Sequence, residues 1–333
     1  MSPIAESLSA RQTSSLKTVM MFPGQGSQHV GMGKSLWENN TIADEVFSRA
    51  DEVLGWSVRE LCANGPEARL TRTEFLQPAM FVLSVAIFDS YMGAGGQEPL
   101  AAMGHSLGEY AALVAAGALT FESALRVVAQ RGSLMATAVP DGTGGMGAVI
   151  GLHESDVQRV CEQLLDDLPK GMVLEVANIN CPGQVVVSGH VDAIDAARIP
   201  MRQAGAKGLI PLKVSAPFHC ELMRPAALGL SEALSDVKIF EPRFPVLSCV
   251  TARPHQGPDS IRRLLVQQLV KPVRWTGCIQ WALGLGGETF LEMGPGKVLA
   301  GLLRRIKPAA KTIGVADNDG IGAVFEHLDG EIS

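Results

Sequence analysis

The chain has 333 residues, 47% hydrophobic and 19% charged, enough for a large core and one big domain with a smaller one attached. A net charge of −6, with no run of Lys and Arg interleaved with aromatics, argues against a nucleic-acid footprint. Six cysteines without a C-x-x-C pair and seven scattered histidines suggest neither a disulfide framework nor a metal cluster, and predict a reducing, cytoplasmic setting.

Residues 1–17 are Ser-rich, carry Glu6 and Arg11, and lack the apolar stretch of a secretory signal. They read as a disordered leader, although an organelle transit peptide shares the same composition. The apolar stretch 18–22 predicts a strand that breaks at Pro23-Gly24 into a glycine-rich loop. Residues 43–55 have helical spacing, and 77–96 read as a buried helix ending at a glycine cluster. Its apolar run, 80–88, is too short to cross a bilayer and is closed by Asp89, so no membrane span is expected. Residues 99–119 read as strand, sharp turn and helix, and 121–139 as a further helix.

Near Pro140 the texture changes. Residues 142–214 follow the order β-α-β-β-α-β, which fits a ferredoxin-like unit inserted into the larger domain. A helix (220–234), a strand (244–250), a helix (260–270) and a final strand (289–296) leading into another helix follow. Alternating strands and helices predict a mostly parallel sheet covered on both faces. The expected division is a leader (1–17), a large α/β part (18–141 and 215–320), a small part (142–214) and a tail (321–333).

Gly104-His105-Ser106-Leu107-Gly108 matches G-x-S-x-G between a short apolar strand and a small-residue helix, the context that motif requires. Such a turn presents a serine oxygen at a helix N-terminus, where the dipole and a backbone N–H favour a developing oxyanion. The same pattern also suits a plain helix N-cap. His219 is the best-placed base, following a predicted strand and fixed by Pro217; Glu221 is its only close acidic neighbour, which favours a dyad over a triad. Gln25, between glycines at a strand end, suits an oxyanion donor or an ordinary loop. Arg131, beside Gly132, suits a carboxylate clamp or a solvated helix face. Two glycine patterns are decoys: 142–147 satisfies G-x-G-x-x-G but precedes a strand, and 294–298 lacks the spaced first glycine and the Ser or Thr of a P-loop.

In order along the chain, "FPGQGSQHVGMG", "QPAMF", "GHSLGEYAAL", "QRG", "ANINCPGQVVVSG", "APFH", "KPVRW" and "EMGPGKVLAGL" resemble the malonyl-coenzyme A:acyl-carrier-protein transacylases from about residue 19 to 306. The resemblance implies an α/β-hydrolase-like large subdomain with a ferredoxin-like small one. It implies Ser106 as the acylated nucleophile, His219 as its base, and the N–H groups of Gln25 and Leu107 as the oxyanion hole. Arg131 would clamp the malonyl carboxylate, and the main-chain carbonyl of Arg274 would orient His219. Asn178, Asn180 and Phe218 would line the cleft or touch pantetheine, with Phe218 favouring malonyl over methylmalonyl. Lys207, Arg304 and Arg305 would dock the acidic carrier, with Gly208 standing where the family often has a second basic residue.

The expected partners are malonyl-CoA and an acyl carrier protein, with no metal or bound cofactor, and the expected state is a monomer. The resemblance implies supply of fatty-acid synthesis. Its rivals are a free-standing acyltransferase of a polyketide assembly line, a hydrolase clearing stalled carriers, and a non-catalytic carrier-binding scaffold.

Overall fold

The computed structural model describes residues 17–332, with side chains as far as Leu328. Residues 1–16 of the expected leader lie outside that range. Lys17, its last residue, is tied to the domain by an ion pair with Glu288 (2.7 Å).

The strands, in chain order, are Thr18–Phe22 (β1), Ala101–Gly104 (β2), Gly144–Ile150 (β3), Leu174–Cys181 (β4), Gln184–His190 (β5), Gly208–Pro211 (β6), Val246–Ser248 (β7), Arg253–Pro254 (β8), Thr289–Met293 (β9) and Lys311–Val315 (β10). They form two sheets. The larger has the order β10-β9-β1-β2-β7-β8, parallel throughout except for the short antiparallel edge strand β8. β1, β2 and β9 are buried along their whole length, because helices cover both faces; their sequences show apolar runs instead of alternation.

The smaller sheet has the order β4-β5-β3-β6 and is antiparallel throughout, the strand order of a ferredoxin-like β-α-β-β-α-β unit. It has its own apolar core, in which Val149, Val157, Val187 and Met201 meet. β4 also bonds to the large part: Ile179 N–H donates to Val273 O, and Val273 N–H to Ala177 O. This junction sets Asn178 and Asn180 beside the ends of β1 and β2.

The helix Thr73–Gly93 is apolar all round, as befits a core helix. Among the described residues it alone is long and apolar enough to cross a membrane, and most of it is buried inside the protein. It starts four residues before the predicted position, so that Gln77 sits in its second turn. At the other end of the chain a tenth strand closes the expected large part, and the helix Asn318–Ile332 runs on into the expected tail, with Ile321, Val324 and Leu328 buried in the large core. Lys311–Val315 is half-exposed over most of its length and follows a Pro-Ala-Ala turn, so its apolar pattern is faint in sequence.

Candidate active site

Ser106 sits in the turn between β2 and the helix Gly108–Ala115, with φ of 52°. A non-glycine residue in this left-handed region is costly by about 1–3 kcal/mol and persists only where its surroundings impose it. Here both flanks impose it. A Cβ on Gly104 would run into the backbone of Gly108 and Glu109, and one on Gly108 into the carbonyl of Phe22. The two glycines of the motif are therefore required by backbone packing between β1, β2 and the helix. Their effect is to lift Ser106 above the sheet into a cavity of about 210 Å³.

His219 faces the same cavity and has φ of 63°. Two of the three described non-glycine residues with positive φ are thus Ser106 and His219, the third being Ala252. His219 Nδ1 donates to the main-chain carbonyl of Gln268 at 2.7 Å. A carbonyl can only accept, so Nδ1 carries the proton and Nε2 keeps its lone pair. Burial pushes the imidazole pKa down to about 3; the Gln268 carbonyl opposes this, while the charges of Arg131 and His105 add to it. The ring is held neutral in the tautomer that a general base requires.

The orienting carbonyl is that of Gln268, which corrects the expectation for Arg274. Arg274 N-caps the helix Trp275–Gly284, and its carbonyl is taken by the N–H of Cys278 (3.1 Å). The Arg274 side chain points outward to Glu154.

Arg131, in the helix Phe121–Ala136, is fully buried. Nη1 donates to Gln77 Oε1 (2.6 Å), and Nη2 to both Gln268 Oε1 (2.8 Å) and Ser106 Oγ (3.0 Å). The guanidinium also lies 5.6 Å from the Tyr110 ring. All three polar partners are neutral, and Nε has no partner among the described residues. Burial pulls the Arg131 pKa below its ordinary value, yet an arginine stays charged. A buried cation held only by amides and a hydroxyl is suited to receive an anion. Gly132 allows this placement: a Cβ there would come within 2.9 Å of Thr73 O, so the two helices touch beside Arg131 and Gln77.

In this structure the hydroxyl of Ser106 is held by Arg131 and not by His219, although both face one cavity; nucleophile–base contacts often tighten only with substrate. Gln25 lies on the cavity wall, and Leu107 directly follows Ser106. No acceptor among the described residues takes either N–H, which leaves both available to a ligand oxygen.

Asn178, Asn180 and Phe218 also line the cavity. Asn180 Oδ1 accepts from His105 Nε2 at 3.0 Å, so His105 braces the cleft wall. At the rim, Arg305 donates to Gln184 Oε1 (3.1 Å) and lies near Gly183, while Lys207 packs on neighbouring Gly151. Arg304 is exposed one residue away, and the half-exposed Leu212, Val214 and Val298 form an apolar lip.

The acyl transferase domain pattern matches residues 19–318. The chain belongs to the acyl transferase family. It is 43% identical over 286 residues to the malonyl CoA-acyl carrier protein transacylase of Salmonella typhimurium, covering 86% of this chain and 91% of that one. The solved malonyl CoA-acyl carrier protein transacylase of Coxiella burnetii superposes with a TM-score of 0.91 at 40% identity, over 94% of this chain and 98% of the other. A malonyl-transacylase solved with a type II polyketide acyl-carrier protein gives 0.90 at 40% identity, over 93% and 99%.

Within this acyl transferase fold, four residues that the sequence reading did not single out surround the site. Gln77 and Gln268 hold Arg131, and Glu109 and His255 are bonded to each other behind Gln268. Gln77 and Glu109 had a visible mark, being polar residues inside apolar helices. The bond of Gln268 to His219 had none, because it uses a carbonyl that every residue possesses.

Proposed function

We propose that the protein transfers a malonyl group from malonyl-CoA to the phosphopantetheine thiol of an acyl carrier protein, through a malonyl ester on Ser106. The observation that carries this reading is Arg131: a buried cation with no carboxylate in contact, one hydrogen bond from the nucleophile. That proximity fits an acyl group whose carboxylate is one methylene from the reacting carbonyl. The names of the relatives support both the malonyl donor and the carrier acceptor.

In the first half-reaction His219 Nε2 takes the Ser106 proton as Oγ bonds to the thioester carbon. The Gln25 and Leu107 N–H groups receive the developing oxyanion. The carbon–sulfur bond then breaks, and the proton passes from His219 to the departing coenzyme A sulfur. The second half-reaction reverses these roles. The carrier's thiol gives its proton to His219 and attacks the malonyl ester, and Ser106 Oγ recovers the proton as it leaves. Every step is served by these residues without a bound cofactor.

The basic residues Lys207, Arg304 and Arg305 beside the apolar lip suit an acidic carrier delivering an uncharged pantetheine arm. The same site would serve a fatty-acid or a polyketide carrier, since one structural relative is held by a type II polyketide carrier. Six free, buried cysteines support a reducing, cytoplasmic location.

Incubating the protein with malonyl-CoA and phosphopantetheinylated carriers, and measuring both malonyl-carrier and free malonate, tests the proposal. Carrier-dependent transfer with little malonate is expected. Malonate released as fast without carrier would make the protein a hydrolase.

A further inference from the structure

Glu109 is fully buried in the first turn of the helix that Ser106 opens, yet it does not line the acyl cavity. Its Oε1 accepts from His255 Nε2 (2.9 Å), and its Oε2 from Cys249 N–H (2.9 Å) and Gln268 Nε2 (3.0 Å). Burial pushes this carboxyl's pKa up, but the His255 contact and the Cys249 N–H outweigh burial and leave it below the ordinary value. The group is ionised, and a carboxylate can only accept.

That fact orients Gln268. Its Nε2 faces two groups that only accept, Glu109 Oε2 and Ser106 O (3.2 Å). The other end of the amide, Oε1, is thereby turned toward Arg131 Nη2 (2.8 Å). A flipped amide would set Oε1 against the carboxylate and NH₂ against the guanidinium, unfavourable on both sides. The same residue's main-chain carbonyl holds His219. Glu109 also supplies the buried negative charge that Arg131 lacks in direct contact, one amide away.

We propose that Glu109 is a positioning residue for acyl selection: through the amide of Gln268 it fixes the Arg131 guanidinium facing Ser106, without touching substrate. This rests on the malonyl-transfer reading above. The plainer role would be a buried hydrogen bond with His255 that staples the helix after Ser106 to the β7–β8 hairpin. The two roles differ in what they do to substrate choice.

The test is a double-mutant cycle of Glu109→Gln and Gln268→Leu, with Glu109→Asp alongside. It is read as the ratio of kcat/KM for malonyl-CoA to that for acetyl-CoA, with melting temperatures measured in parallel. A glutamine at 109 offers an NH₂ and frees the Gln268 amide to turn, so the ratio falls roughly tenfold or more. Gln268→Leu lowers it similarly, the double variant falls no further than the lower single, and Glu109→Asp retains more of the ratio than Glu109→Gln. A staple alone predicts lower melting temperature with both substrates slowed equally, and that result, or independent effects in the double variant, overturns the proposal. If Glu109→Gln does not fold, Glu109→Asp carries the test: its shorter arm shifts the ratio in the direction of Gln268→Leu, and an unchanged ratio overturns the proposal. A wild-type protein that transfers no malonyl overturns the functional reading itself, whereas an active wild type with unchanged ratios in the variants overturns only the role of Glu109.

Discussion

Arg131 Nη2 donates to Ser106 Oγ at 3.0 Å, which joins a buried cation to the proposed nucleophile. The bond ties the helix Phe121–Ala136 to the Ser106 turn, and it sets a short distance between the Ser106 oxygen and any carboxylate bound at Arg131. Under the proposed function, substrate length and charge would both be read at that point.

Arg131→Ala removes that reading. Losing one partner of a buried charge pair costs roughly 2–5 kcal/mol. Transfer from malonyl-CoA is expected to fall on the order of 10- to 1000-fold while transfer from acetyl-CoA is largely spared. Steady-state kcat/KM with the two thioesters checks this, and equal losses would refute the clamp.

His219 is held neutral down to about pH 3, against an ordinary imidazole pKa of 6.5. The acid limb of kcat/KM for Ser106 acylation should lie well below 6.5, because the base does not protonate there. Stability has a definite sign. Below pH 6.5 the unfolded chain takes up a proton that the folded chain refuses until about pH 3, so stability falls as pH falls through that window. His219→Gln should flatten this part of the curve of melting temperature against pH.

Gly132→Ala tests the helix contact. A Cβ at 2.9 Å from Thr73 O and 3.0 Å from Glu74 Cα forces the helices apart, a change that typically costs about 1–3 kcal/mol. The melting temperature should drop, and malonyl transfer should weaken more than acetyl transfer because Gln77 and Arg131 separate. A stable variant with unaltered kinetics would mean that the helices can yield without disturbing Arg131.

Phe218 lines the cavity directly before His219 and is nearly fully buried. Phe218→Ala opens space for a 2-methyl branch, and discrimination of that size is worth about 1–3 kcal/mol. The methylmalonyl-to-malonyl ratio of kcat/KM should rise by roughly 5- to 100-fold. No rise would place the methyl-excluding wall elsewhere.

How much of this was legible in the sequence follows from what each feature requires. The serine turn was readable because Gly104 and Gly108 meet backbone, a demand met only by glycine and confined to five residues. The small sheet was readable because its strands and helices alternate cleanly over residues 142–214. The His219 partner was misplaced by six residues, at Arg274 instead of Gln268, because a main-chain carbonyl leaves no side-chain trace and only the fold selects it. The last strand and helix escaped notice for a related reason: Ile321, Val324 and Leu328 are buried by long-range packing on the large core, within a stretch otherwise rich in Gly and Asp.

Ser106 is expected to carry malonyl between donor and carrier. The most direct test of this is intact-mass and peptide mass spectrometry of the protein quenched in acid after mixing with malonyl-CoA. A mass gain of one malonyl group is expected on the peptide containing Ser106, lost on adding phosphopantetheinylated carrier and absent in Ser106→Ala. A malonyl adduct that persists in Ser106→Ala, or carrier malonylation by that variant at the wild-type rate, would contradict it.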